Sequence, residues 1–195
     1  MCWNKEISFN SFIIGITVSS ILFIRNKLYD KILSLLIFFY SFMQYFEYKM
    51  WKAIEENDEK TNIQYTKYAY ILLWSHVFAI GLGSYLEFGN PSLMIIGLLI
   101  WIYGLSVMPK MKPSKPTPTS KGHLVWGFDI SFYIYIFIFV IACCLKFTDL
   151  AYTGIPLAFY VLSFIYTYIT NPEAIGSMWC WFAACFSFIP LVFLN

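Results

Sequence analysis

Long apolar runs, broken only by short polar turns, constrain this chain more than any other feature of its sequence. Stretches of mostly apolar residues cover 7–24, 32–51, 67–86, 92–108, 125–145, 151–170 and 175–194. Each approaches the roughly 20 residues that a helix needs to cross a hydrocarbon core. Between them lie RNKLYDK, a polar loop around EENDEKTN, the turn EFGNPS, a Pro/Lys linker over 109–122, KFTD and NPE. Turns this short force neighbouring helices to run antiparallel. The runs are continuous rather than alternating in polarity, which selects helices over a barrel. The expected fold is therefore all-α: a polytopic membrane protein, a seven-transmembrane-helix bundle with short loops, forming one domain over 1–195.

Composition points the same way. Charged residues make up 12% of the chain and hydrophobic ones 59%, against about 25% charged in an ordinary soluble domain. A folded surface needs polar cover that this composition scarcely supplies. A net charge of +2 gives no reason to expect a nucleic-acid partner. Cys2, Cys143, Cys144, Cys180 and Cys185 form no spaced framework and are read as reduced. The first apolar stretch lacks a basic start and a small-residue cleavage site, so it reads as the first helix rather than a leader.

Sidedness follows from the basic residues of the short loops. In a seven-span arrangement Lys5, Lys49, Lys52, Lys60, Lys67, Lys110, Lys112, Lys115 and Lys121 share the N-terminal side. Arg25, Lys27, Lys31 and Lys146 lie opposite. This imbalance predicts an integral membrane protein with a cytoplasmic N-terminus and its C-terminus across the membrane.

Ionisable groups within apolar runs are costly and mark function. Glu47, with Gln44 at i−3 on the same helical face, His76 and Asp129 are such groups, and His123 and Trp126 precede Asp129 closely. These residues form the candidate polar site, expected at the N-terminal-side interface. Trp3, Trp51, Trp126, Trp179 and Trp181 gather at that same level, as an aromatic belt would. Cys2, His76, His123 and Cys180 offer donor types that a transition metal such as zinc accepts, although no paired motif places two of them on one helix. A second reading makes Glu47, His76 and Asp129 a path for protons, ions or small solutes. A third is a structural or membrane-remodelling role, in a virus or otherwise. No lysine lies in the interior of a run, Lys49 and Lys67 being at run ends, so a retinal Schiff base is not expected, and no reaction can be assigned.

The linker PKMKPSKPTPTSKG should be extended and solvated. Its lysines Lys110, Lys112, Lys115 and Lys121 are then expected to contact anionic lipid headgroups, making the bilayer the principal partner. A homo-oligomer is compatible with all of this.

The chain opens Met1, Cys2, Trp3, carries GHLVW at 122–126, and ends through NPEAIGSMWCWF. In these features it resembles a family of uncharacterised multi-pass membrane proteins from large DNA viruses and some bacteria. The matching positions are Cys2, Trp3, Gln44, Glu47, His123, Trp126, Asn171, Pro172, Trp179 and Cys180. The resemblance brings no activity with it. It implies that residues at the N-terminal-side face belong together.

Overall fold

Asn4 starts the first helix by accepting the Ile7 amide at 2.9 Å, satisfying one of the donors that a helix start leaves open. A computed structural model describes residues 4–116, 123–128, 162–163, 165–170, 174 and 177. Four helices are bounded within it: α1 (Lys5–Arg25), α2 (Asp30–Glu55), α3 (Glu59–Phe88) and α4 (Ser92–Ser106). Residues 165–170 are also helical.

Local chemistry sets each turn. Asn26 closes α1 in the left-handed region at φ 53°, with its N–H on the Leu22 carbonyl, a conformation asparagine tolerates. The charged turn that follows is tied by Asp30, which accepts from Arg25 Nε at 2.8 Å, from an Arg25 terminal nitrogen at 2.7 Å and from the Lys27 amide at 2.9 Å. Asp58 caps α3 by accepting the Thr61 amide at 3.0 Å. Gly89, at φ 72°, ends α3 where a side chain would be strained.

Each helix packs antiparallel on the one before it, so α1, α2, α3 and α4 form a folded row with α2 and α3 at its centre. Serines and glycines set the close approaches. Ser19 and Ser34 exchange hydrogen bonds between α1 and α2, each hydroxyl lying within 2.9 Å of the other's carbonyl. Gly83 lets α3 lie against the backbone of Ile32, and Gly81 and Gly97 seat α3 and α4 on one another. A Cβ at Gly97 would come within 2.6 Å of the Phe78 backbone. The main core runs between α2 and α3 through Ile32, Leu36, Tyr40, Met43, Met50, Ala69, Leu73, Val77 and Ile80, with Leu93 and Leu124 closing it. A smaller cluster of Val18, Leu22, Leu33 and Ile37 joins α1 to α2. The outer faces of α1 and α4 leave Ile14, Phe23, Leu99 and Ile102 exposed.

After α4 the chain returns over the bundle. Strand β1 (Lys115–Pro116) pairs antiparallel with β2 (Leu124–Val125), Lys115 opposite Val125 and Pro116 opposite Leu124. A helix expected to begin at 125 is therefore a strand there. Residues 129–145 of that stretch, most of 151–170 and all of 175–194 but Ser177 lie outside the described residues.

The seven-transmembrane-helix bundle is corrected. Among the described helices only α1 and α3 are long and apolar enough to cross a membrane. The apolar window of α3 is 67% buried inside the protein, as befits the bundle's core helix. Helix α4, with 15 residues, spans about 22 Å at 1.5 Å per residue, short of a roughly 30 Å hydrocarbon core. The apolar run of α3 that the sequence assigns to lipid is covered largely by neighbouring helices instead. The sidedness argument falls with the span count. Several of its basic residues serve internal pairs: Arg25 on Asp30, Lys5 on Glu55 and Lys52 on Glu56. The expected membrane location and the cytoplasmic N-terminus are corrected accordingly.

Candidate functional site

Tyr40, Gln44, Glu47 and Trp51 recur on α2 at i, i+4, i+7 and i+11, the spacing of one helical stripe. The stripe is buried, with Gln44 and Glu47 at 0% exposure. An apolar stripe would suffice to hold α2 on α3, so a polar one needs partners. Glu47 receives the indole N–H of Trp126 on Oε1 at 3.0 Å. One turn further along, the buried Trp51 indole Nε1 has no hydrogen-bond acceptor among the described residues. Around this level, the rings of Trp126 and Phe128 lie 5.3 Å apart and that of Phe128 meets Tyr70 edge-on at 5.3 Å. Tyr70 in turn donates to the Gly104 carbonyl at 3.0 Å, and burial raises its hydroxyl pKa.

His76 belongs to a different layer. Its ring lies 4.5 Å from that of Tyr40, and Tyr40 stands seven residues, or about 10 Å of helix, from Glu47. The His76 Nδ1 is 2.8 Å from the Leu73 carbonyl, an acceptor only, so Nδ1 carries the proton. Burial pushes its pKa down to about 4, against the smaller upward pull of the Leu73 contact. The imidazole is therefore neutral at neutral pH.

Trp126 reaches Glu47 because the return segment is clamped to α3. Asn62 grips Ser114 through both backbone groups: its Nδ2 donates to the Ser114 carbonyl at 3.0 Å, and the Ser114 amide donates to its Oδ1 at 2.8 Å. Thr66 Oγ1 lies 2.8 Å from Ser114 Oγ and 3.2 Å from Asn62 Oδ1. The Gly127 amide donates to Ser114 Oγ at 3.2 Å, and the Lys112 amide to the Gly127 carbonyl at 2.8 Å. One proton arrangement satisfies the set: Ser114 donates to Thr66, Thr66 to Asn62, and Gly127 to Ser114. A Cβ at Gly127 would fall 1.7 Å from the Lys112 carbonyl oxygen, so only glycine permits the two arms to close.

The structure thus joins Glu47 to Trp126 and keeps His76 apart. Gln44 is buried between these layers, and His123 is buried beside Leu124 on the return arm. Asp129, Cys2 and Cys180 lie outside the described residues. Among the described residues no three His, Cys, Asp or Glu side chains gather closely enough to hold a metal ion. Asn62, Thr66 and Ser114 are absent from the expected site. Asn62 and Thr66 are four apart on one helical face, a readable signal, but their shared partner lies 52 and 48 positions away.

Two further expectations are corrected here. The described part of the linker, 109–116, is not a free strap for lipid headgroups. Ser114 at its centre is 1% exposed, and the segment turns its polar atoms onto α3. Lys110, Lys112 and Lys115 face outward as a consequence, and Lys121 lies outside the described residues. The functions drawn from a multi-pass topology, including a path through Glu47, His76 and Asp129 and a membrane-remodelling role, give way to a helical bundle with an internal network of hydrogen bonds and ion pairs. Glu47 and His76 occupy separate layers of that network.

No family model matches the chain, and neither a curated protein nor a solved structure matches it. Of the positions that carry the family resemblance, Gln44, Glu47, His123 and Trp126 fall within the described residues, and all four lie in or beside the α2–α3 interface or the arm clamped to it.

Proposed function

We propose that this chain is a binding protein for a small organic ammonium compound, taken up at Glu47 between α2, α3 and the clamped return arm. The observation that carries the reading is the fully buried Glu47 carboxylate held by the Trp126 indole at 3.0 Å. A carboxylate is the natural counter-charge for an ammonium group. Aromatic rings stabilise an ammonium group that cannot donate hydrogen bonds, and Trp126, which reaches Glu47, is the first of a chain of rings that continues through Phe128 to Tyr70. The Trp51 indole N–H, buried without an acceptor among the described residues, is a donor for an oxygen on the same ligand. These features favour a compound that combines an ammonium group with a nearby hydroxyl or carboxylate.

Calorimetric titration of the purified chain with choline chloride tests this reading. Saturable heat is expected in the wild type, with none from sodium chloride at equal ionic strength. Glu47→Gln, nearly isosteric but uncharged, should weaken binding at least tenfold. Tetramethylammonium, which lacks the oxygen, should bind more weakly than choline. Absence of saturable binding, or equal binding by Glu47→Gln, would contradict the reading and leave the Glu47–Trp126 contact as architecture.

A further inference from the structure

We infer that the outer face of α4 seats a second copy of this chain, the two α4 helices packing antiparallel about a two-fold axis at Leu99. The inference concerns the edge of the bundle and does not depend on a ligand at Glu47.

Helical spacing defines the face. Gly97 and Gly104 turn one side of α4 onto α3, and the Trp101 indole on that helix donates inward to the Ile71 carbonyl at 3.1 Å. The opposite side carries Ile95, Leu99 and Ile102 at i, i+4 and i+7, one stripe of a helix. These three are 50%, 61% and 52% exposed. Ile96, Leu98, Tyr103 and Leu105 flank the stripe and are exposed as well. Ser106, at its end, donates its hydroxyl proton to the Tyr103 carbonyl at 2.7 Å. No charged residue occurs between Glu87 and Lys110.

Size and chemistry decide the occupant. The seven side chains leave on the order of 600 Å² open, more than the few hundred Å² that monomers usually expose in one patch and close to the share of each partner in a standard interface. A two-fold interface sets a patch against itself, so any charge on it would meet its like. The stripe carries none. A hydrocarbon core is a poor match, because 15 residues of α4 fall short of its thickness. The apolar outer face of α1 is a poorer candidate: exposed Thr17 and Ser20 interrupt it, and Lys5, Glu6 and Arg25 stand at its ends. Joining α4 of one copy to α1 of the next would be head-to-tail, and the assembly would grow past two. Leu99 is the midpoint of α4, so antiparallel pairing centred there sets it on its own counterpart and Ile95 near Ile102 of the second copy.

Sedimentation velocity of the full chain in detergent-free buffer, over a range of concentrations, tests the pairing. A monomer–dimer equilibrium without larger species is expected. Leu99→Glu and Leu99→Lys, at an exposed position, should each raise the dimer dissociation constant at least tenfold with the helical signal retained. An equimolar mixture of the two should recover the dimer, because pairing position 99 with itself turns repulsion into attraction. Ile21→Glu on α1 should leave the dimer unchanged. A wild type that is monomeric throughout, or that stays in solution only with detergent on its surface, would overturn the inference. So would assembly beyond dimers, a mixture no better than either variant alone, or a dimer lost in Ile21→Glu. Should the Leu99 variants fail to fold, Ile102→Ser, which removes apolar area without adding charge, must still raise the dissociation constant severalfold, and an unchanged constant would overturn the pairing.

Discussion

Trp126 places its indole N–H 3.0 Å from a carboxylate oxygen of Glu47, although 79 positions separate the two residues. That bond is the point at which the return arm meets the α2–α3 interface. Trp126→Phe keeps the ring stacking on Phe128 and removes the donor. It should destabilise the fold by about 1–3 kcal/mol, the range for losing one buried hydrogen bond to a charged group. Urea unfolding checks this, with the midpoint falling and the slope unchanged. An unaltered midpoint would mean that the bond adds nothing to stability.

His76 predicts a pH dependence with a definite sign. Its pKa in the folded chain is lowered to about 4 from an ordinary 6.5, with burial as the leading cause. The unfolded chain then binds more protons between those values, so stability is fully present above about pH 6.5 and is lost as pH falls towards 4. The loss from this group amounts to about 3 kcal/mol at 1.36 kcal/mol per pKa unit. Unfolding free energies measured from pH 7.5 to 4.5 should show the decline, and His76→Gln should flatten it. An unchanged slope in the variant would assign the pH dependence to other groups.

Gly97 sits where a Cβ would come within 2.6 Å of the Phe78 backbone, and backbone yields poorly. Gly97→Ala should force α3 and α4 apart and cost about 1–3 kcal/mol, the usual range for overpacking. Gly89 has open space around it but a φ of 72°. Gly89→Ala should cost about 1 kcal/mol through strain alone, and Gly89→Asn less. Thermal melts of the three variants check the order.

The first four apolar stretches are occupied by helices, because apolar continuity over such lengths is a local property. Their ends are less legible. Helix α3 begins at Glu59, eight residues before the apolar run at 67, since its first turns carry Lys60, Gln64 and other polar residues. The Asp58 cap on Thr61 marks the true start and could have been read from the sequence. What apolar runs cannot reveal is the material that covers them. Leu73, Val77 and Ile80 face protein and read identically to residues facing lipid, which is how a bundle of adjoining helices came to be counted as seven spans. The clamp of Ser114 on Asn62 is a contact across 52 positions, and the pairing of Lys115 with Val125 joins two-residue segments too short to leave a periodic trace. Glu47, Gln44 and Trp126 stand out in the sequence because polar groups are rare there. That Glu47 and Trp126 meet, and that His76 stays about two turns of α2 away, follows only from how α2, α3 and the return arm pack.

The most direct test of the site is the NMR resonance of the Trp126 indole N–H during titration with choline. The account predicts a saturable shift of that resonance in the wild type, with the same midpoint as the calorimetric curve, and no shift in Glu47→Gln. A resonance that stays fixed through the titration, in a chain whose other signals show it to be folded, would contradict the claim that ligand binds at Glu47.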